Sequence, residues 1–122
     1  MTLGGGLKKL KSRGKINIVF NKGKMFGFGN LVIYYHYPES EKKKMYLGVG
    51  VSKKCLNKAF LRNRVKRQIR ALIKKKHKDI LRFLPSGSYM ILYNGKHVSD
   101  FKGLSYDFEG LLELFSVLDH NT

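Results

Sequence analysis

The stretch Leu61-Arg62-Asn63-Arg64-Val65-Lys66-Arg67-Gln68-Ile69-Arg70 holds the chain's most telling chemistry. Each guanidinium is a planar fork of donors that matches a phosphate, and the Lys66 ammonium adds a point charge. Asn63 supplies amide donors and an acceptor that a merely wet basic face does not need. A charge run of this kind is often only a solvated helix face; the order of residues favours phosphate neutralisation. Between Lys53 and Lys78, twelve bases fall in 26 residues with no acid. A polyanion relieves that repulsion, which points to nucleic acid.

Residues for protein-borne catalysis are not arranged for it. His36, His77, His97 and His120 are scattered without a ligand spacing such as His-Glu-x-x-His, so no metal site is expected. Cys55 beside Lys53 and Lys54 reads as a small half-buried residue rather than an activated thiol. Gly27-Phe28-Gly29 and Gly48-Val49-Gly50 open no helix and read as turn and strand glycines.

The chain has 122 residues, a net charge of +17 and a pI near 10.1. That length suits one domain, 1–122. Seven Tyr, eight Phe and 43% hydrophobic residues are enough for a core. A single cysteine excludes an internal disulfide and suits a reducing compartment. No apolar run approaches a bilayer span, and the first residues lack the apolar core of a secretion signal, so a cytoplasmic chain without membrane contact is expected. The charge is uneven: five of the eight acids lie from Asp100 onward.

Several elements must position the cations. Leu7 to Asn21 has the spacing of a short amphipathic helix, with Gly14 an awkward member. Asn21–Lys24 and Gly27–Asn30 read as turns. Leu31 to Tyr37 is β-branched and aromatic, a strand stopped by Pro38, followed by a polar loop from Glu39 to Lys44. In Tyr46–Ser52, Leu47, Val49 and Val51 alternate with Gly48, Gly50 and Ser52, giving an apolar face and a bare face open to another backbone. From Asn57 to about Arg82 the period is helical, with Leu61, Val65, Ile69, Leu72 and Ile73 on one stripe. Tyr89–Tyr93 is a further strand. Ser105 can cap a last helix with Asp107 and Glu109 in its first turn and Phe108, Leu111, Leu112, Phe115 and Leu118 on one face.

The run Val51-Ser52-Lys53-Lys54 leading into Arg62-Asn63-Arg64-Val65-Lys66-Arg67-Gln68-Ile69-Arg70 resembles the Arg-Asn-Arg signature of the bacterial ribonuclease P protein component. Val19-Phe20-Asn21-Lys22-Gly23, Leu31–Tyr35 and Leu104-Ser105-Tyr106 resemble further parts of that family, so the likeness spans nearly the whole chain. It implies an α+β sandwich of order α-β-β-β-α-β-α, like a ribosomal-protein domain. Its four-stranded sheet has a left-handed βαβ crossover, where the general rule gives a right-handed one.

The resemblance also implies a job: binding a large catalytic RNA whose holoenzyme removes the 5′ leader of precursor tRNA. The RNA performs the hydrolysis and chiefly holds the Mg2+, and the protein supplies no catalytic residue. On this basis Lys53, Lys54, Arg62, Asn63, Arg64, Lys66, Arg67 and Arg70 face the RNA subunit. Phe20, Tyr34, His36 and Ile16 line a cleft for the single-stranded leader, where aromatic planes hold unpaired bases. Ile16 stands where many members carry an aromatic. No obligate protein partner is evident. A basic ribosomal protein binding rRNA is the alternative and shares the charge and the fold. A DNA-binding module lacks a helix-turn-helix pattern, and a membrane-surface helix would need the apolar stripe that covers the sheet.

Overall fold

The computed structural model describes residues 2–4, 7–37 and 45–120, with side chains over 8–37 and 45–117. In chain order the elements are β1 (Thr2–Gly4), β2 (Leu7–Lys9), α1 (Arg13–Lys22), β3 (Lys24–Phe28), β4 (Leu31–His36) and β5 (Met45–Val51). They continue with α2 (Ala59–Lys75), α3 (His77–Phe83), β6 (Gly87–Tyr93) and α4 (Phe101–His120). The strands form one sheet in the order β1-β2-β5-β6-β4-β3. β5 is parallel to β2 and β6, while β4 runs antiparallel to β6 and β3.

The sheet therefore has six strands, not four. The expected order survives inside it as α1-β3-β4-β5-α2-β6-α4, with β1, β2 and α3 added. Leu7–Lys9, expected in the first helix, instead pairs with Met45–Leu47. The helix starts only after Ser12, whose Oγ accepts from the Lys15 N–H at 3.4 Å. Lys24–Phe28, expected to hold turns, is a strand, because Phe26 and Phe28 alternate inward opposite Ile33 and Leu31. The turn shrinks to Gly29-Asn30, where Gly29 takes φ +60° to close a two-residue hairpin. The expected stop at Pro38 and the loop to Lys44 lie outside the described residues.

The long basic helix is broken at Lys76 (φ −105°, ψ 18°) into α2 and α3. No Gly or Pro marks the break. It turns Ile80 and Leu84 into the core shared with α4. The last helix begins at Phe101 rather than at Ser105: the Asp100 carboxylate accepts from the Gly103 N–H at 2.7 Å and caps it.

Alternation along the strands gives the sheet two faces. Leu31, Ile33, Leu47, Tyr89, Ile91 and Tyr93 point toward the side covered by α2, α3 and α4, where Val65, Ile69, Phe108 and Phe115 complete the main core. Tyr34, Tyr46, Met90 and Leu92 point to the other side, where Val19 of α1 and Leu10 close a smaller cluster. Helices cover the first face across its width, and α1 covers only part of the second.

Candidate nucleic-acid interface

α2 is held by its apolar stripe. Val65, Ile69, Leu72 and Ile73 are buried, and Leu61 packs at the edge of the same core. The helical period then turns the cations outward: Asn63, Arg64 and Arg67 are exposed, while Lys66 and Arg70 are half-buried along their stems. Among the described residues the one ion pair joins Lys76 Nζ to Glu109 Oε1 at 2.5 Å, so no described acid neutralises the signature cations. The Lys76 hydrogen bond to Glu109 raises its pKa above the usual lysine value.

Arg62 differs from its neighbours. Its Nη1 donates to the Leu56 carbonyl at 2.8 Å in a half-buried setting, holding the loop before α2. Part of its fork is thus used inside the protein. Lys53 and Lys54 are exposed in the β5–α2 connection, where the Lys54 N–H donates to Ser52 Oγ at 3.1 Å.

On the opposite face, the Phe20 ring meets Tyr34 edge-on with centroids 4.9 Å apart, and Phe20 remains 37% exposed. Ile16 packs beside them against Leu10, Val19 and Met90. Lys15 lies over the Tyr46 ring, 3.9 Å from its centroid. Further along, an open groove of about 220 Å³ runs past Met25, Val32, Tyr34 and Leu92 to Ser52 and Cys55. Lys53 and Lys54 sit in sequence between these last two lining residues.

His36 shares the strand face of Tyr34 but lines a separate hollow of about 210 Å³ with Lys22, Lys24, Tyr35 and Tyr37. The bare face expected at Gly48 and Gly50 is not open to a backbone. The Met90 sulfur lies over Gly48, and a Cβ on Gly50 would stand 2.8 Å from Leu92 Cδ2. Neighbouring β6 side chains use that space, which strand alternation in β5 alone does not reveal.

Sequence reasoning also passed over Met25, Val32 and Leu92. Met25 reaches the groove only because it pairs with Tyr34, a register that needs β3 to be known as a strand. Lys22 and Lys24 beside His36 were legible only as charges near a turn. Among the described residues no three His, Cys, Asp or Glu side chains come together.

Comparisons with known proteins bear on the fold and on the family. Two bacterial ribonuclease P proteins of solved structure share the fold. The one from Staphylococcus aureus aligns with TM-score 0.71 and 23% identity, over 87% of this chain and 93% of its own. The one from Thermotoga maritima aligns with TM-score 0.71 and 20% identity, over 87% and 96%. In sequence, the ribonuclease P protein component of Carboxydothermus hydrogenoformans is 34% identical over 74 residues, 61% of this chain and 60% of its own length. That of Streptococcus agalactiae serotype Ia is 38% identical over 65 residues, 53% and 57%. The chain thus spans about 60% of the length of the curated relatives it matches. No ribosomal protein is among these relatives. The model of the ribonuclease P family matches residues 6–115, which takes in α1, the whole of α2 with its Arg62-Asn63-Arg64 run, and most of α4, and the chain belongs to that family.

Proposed function

We propose that the chain, as one RNA-binding domain over residues 1–122, is the protein subunit of the endoribonuclease ribonuclease P. It works in the cytoplasm on the 5′ leader of precursor tRNA. The observation that carries this reading is the separation of two surfaces by one sheet: outward cations on α2, and the Phe20–Tyr34 edge with its groove on the other side. The α2 surface suits a folded polyanion, whose phosphates it neutralises. The groove suits a loose strand, whose bases have free faces to set against aromatic rings.

In this reading Asn63, Arg64, Lys66, Arg67 and Arg70 meet the catalytic RNA. Phe20, Tyr34 and Ile16 hold the leader, and His36 with Lys22 and Lys24 flanks it. Lys53 and Lys54, exposed in the β5–α2 connection, meet the catalytic RNA as well. Arg62 both orders the loop at Leu56 and offers its remaining donors outward. Phosphodiester hydrolysis belongs to the RNA, which holds the Mg2+ that the reaction needs. This chain's residues bind and orient.

A left-handed β5–β6 crossover is part of the same reading. Leu47 faces α2, and its carbonyl accepts from the Leu10 N–H at 3.0 Å on the β2 side. Viewed from α2 with β5 running upward, an L-residue whose side chain faces the viewer points its own C=O to the right. β2 then lies right of β5 and β6 lies left. A path from β5 over α2 to β6 moves left, against the usual right-handed preference.

The test is cleavage of precursor tRNA by the cognate RNA at low magnesium, with and without the protein. Faster leader removal with the protein is expected. Equal cleavage by the RNA alone would overturn the subunit role.

A further inference from the structure

Phe60 opens the signature helix with 65% of its surface exposed, in the midst of cations. Asn63, Arg67 and Arg70 follow it at steps of three, four and three residues, so the four side chains share one stripe of α2. Together they line an open depression of about 400 Å³. Lys58 Nζ stands 6.0 Å from the ring centroid. Among the described residues no acid is paired with Arg67 or Arg70.

A ring this exposed beside two free guanidiniums fits few occupants. An apolar protein surface would cover Phe60 only by stripping water from Arg67 and Arg70 without returning a partner. A second copy of the chain would bring another +17 charge to the same place. An unpaired nucleotide offers what the stripe lacks: a flat face for the ring, phosphates for the guanidiniums and a polar edge for the amide. A paired base has both faces already stacked.

The geometry points to a base-stacking seat at the start of α2: Phe60 is the platform for one unpaired base of the RNA, Arg67 and Arg70 take the flanking phosphates, and Asn63 meets the base edge. This rests on the reading of α2 as the RNA-facing helix. It adds to that reading a preference for a bulged or looped nucleotide over a plain duplex.

The chain has no Trp, so Phe60→Trp introduces its only indole. Titrating the full-length variant with a short oligoadenylate is expected to quench the indole emission. An abasic ribose-phosphate strand of the same length, which carries the charge without the bases, should leave it unchanged. Against the cognate ribonuclease P RNA, Phe60→Leu is expected to weaken binding roughly ten-fold with an unaltered salt slope, and Phe60→Tyr to bind like the parent.

Equal emission with both strands overturns the seat, as does a Phe60→Leu variant that binds undiminished. A ten-fold loss with a shallower slope also overturns it, because the ring would then be positioning the cations. A parent that sediments as a dimer and becomes monomeric with Phe60→Leu would assign the ring to self-association instead. If the parent fails to bind the RNA at all, the functional reading itself falls. Full salt-dependent binding with a silent indole removes only the stacking seat.

Discussion

The Asn30 N–H donates to Asp107 Oδ2 at 3.1 Å, joining the β3–β4 turn to α4 across 77 residues of sequence. The same carboxylate lies against Gly29, where a Cβ would collide with it. The Asn30 side chain adds a bond from Nδ2 to Ser99 Oγ at 3.3 Å. Asp107 therefore ties the hairpin that presents Met25 and Tyr34 to the last helix. An acid that the sequence suggested as a partner for a helix dipole is used as a tertiary tether.

Asp107→Ala is expected to lower stability by about 1 kcal/mol, the scale of a hydrogen bond in a partly exposed setting. Urea denaturation measures the loss, and hydrogen exchange at Asn30 and Leu31 should quicken. Affinity for the cognate RNA at a permissive temperature should be unchanged, since the helix α2 cations are untouched.

Arg64→Ala and Arg67→Ala should each make the dependence of RNA affinity on salt shallower by about one unit, the signature of one lost phosphate contact. Arg62→Ala should behave differently. It removes the bond to the Leu56 carbonyl and is expected to cost about 1 kcal/mol of folding stability as well as affinity. Filter binding over a salt series, with thermal melts of the free proteins, separates the two kinds of arginine.

Phe20→Ala and Tyr34→Ala are expected to reduce affinity for precursor tRNA, relative to mature tRNA, by ~1–3 kcal/mol, the range for a base stacked on an aromatic ring. Competition between the two tRNAs on the assembled holoenzyme measures the difference. Equal losses for both substrates would return the two rings to plain packing.

The Lys76–Glu109 pair should leave a mark on stability at high pH. The pair raises the folded-state pKa of Lys76 above its ordinary 10.5. Its contribution is then fully present below that value and is lost as pH rises through the folded-state pKa. The gap in melting temperature between the parent and Lys76→Met should be small near neutrality, as for an exposed pair, and close above pH 10.5.

Much of the interface was legible in the chain itself. A helix that must bury Val65, Ile69, Leu72 and Ile73 has only one side left for Arg64 and Arg67, so apolar spacing alone set the direction of the cations. Phe20 and Tyr34 were legible as candidates, and their edge-on contact follows from α1 lying across β4. The roles of Met25, Leu92 and Phe60 were not, because each depends on which neighbour covers it.

Residue order by itself determined the basic helix, the strands at β4, β5 and β6, and the outward cations, since these follow from periodicity within a single element. Only the tertiary structure decided that Leu7–Lys9 is a strand, that the long helix breaks at Lys76, that Asp100 caps α4, and that Met90 and Leu92 close the bare face of β5. Those outcomes depend on pairing and packing between segments far apart in sequence, where a short stretch gains more free energy from its partner than from its own conformational preference.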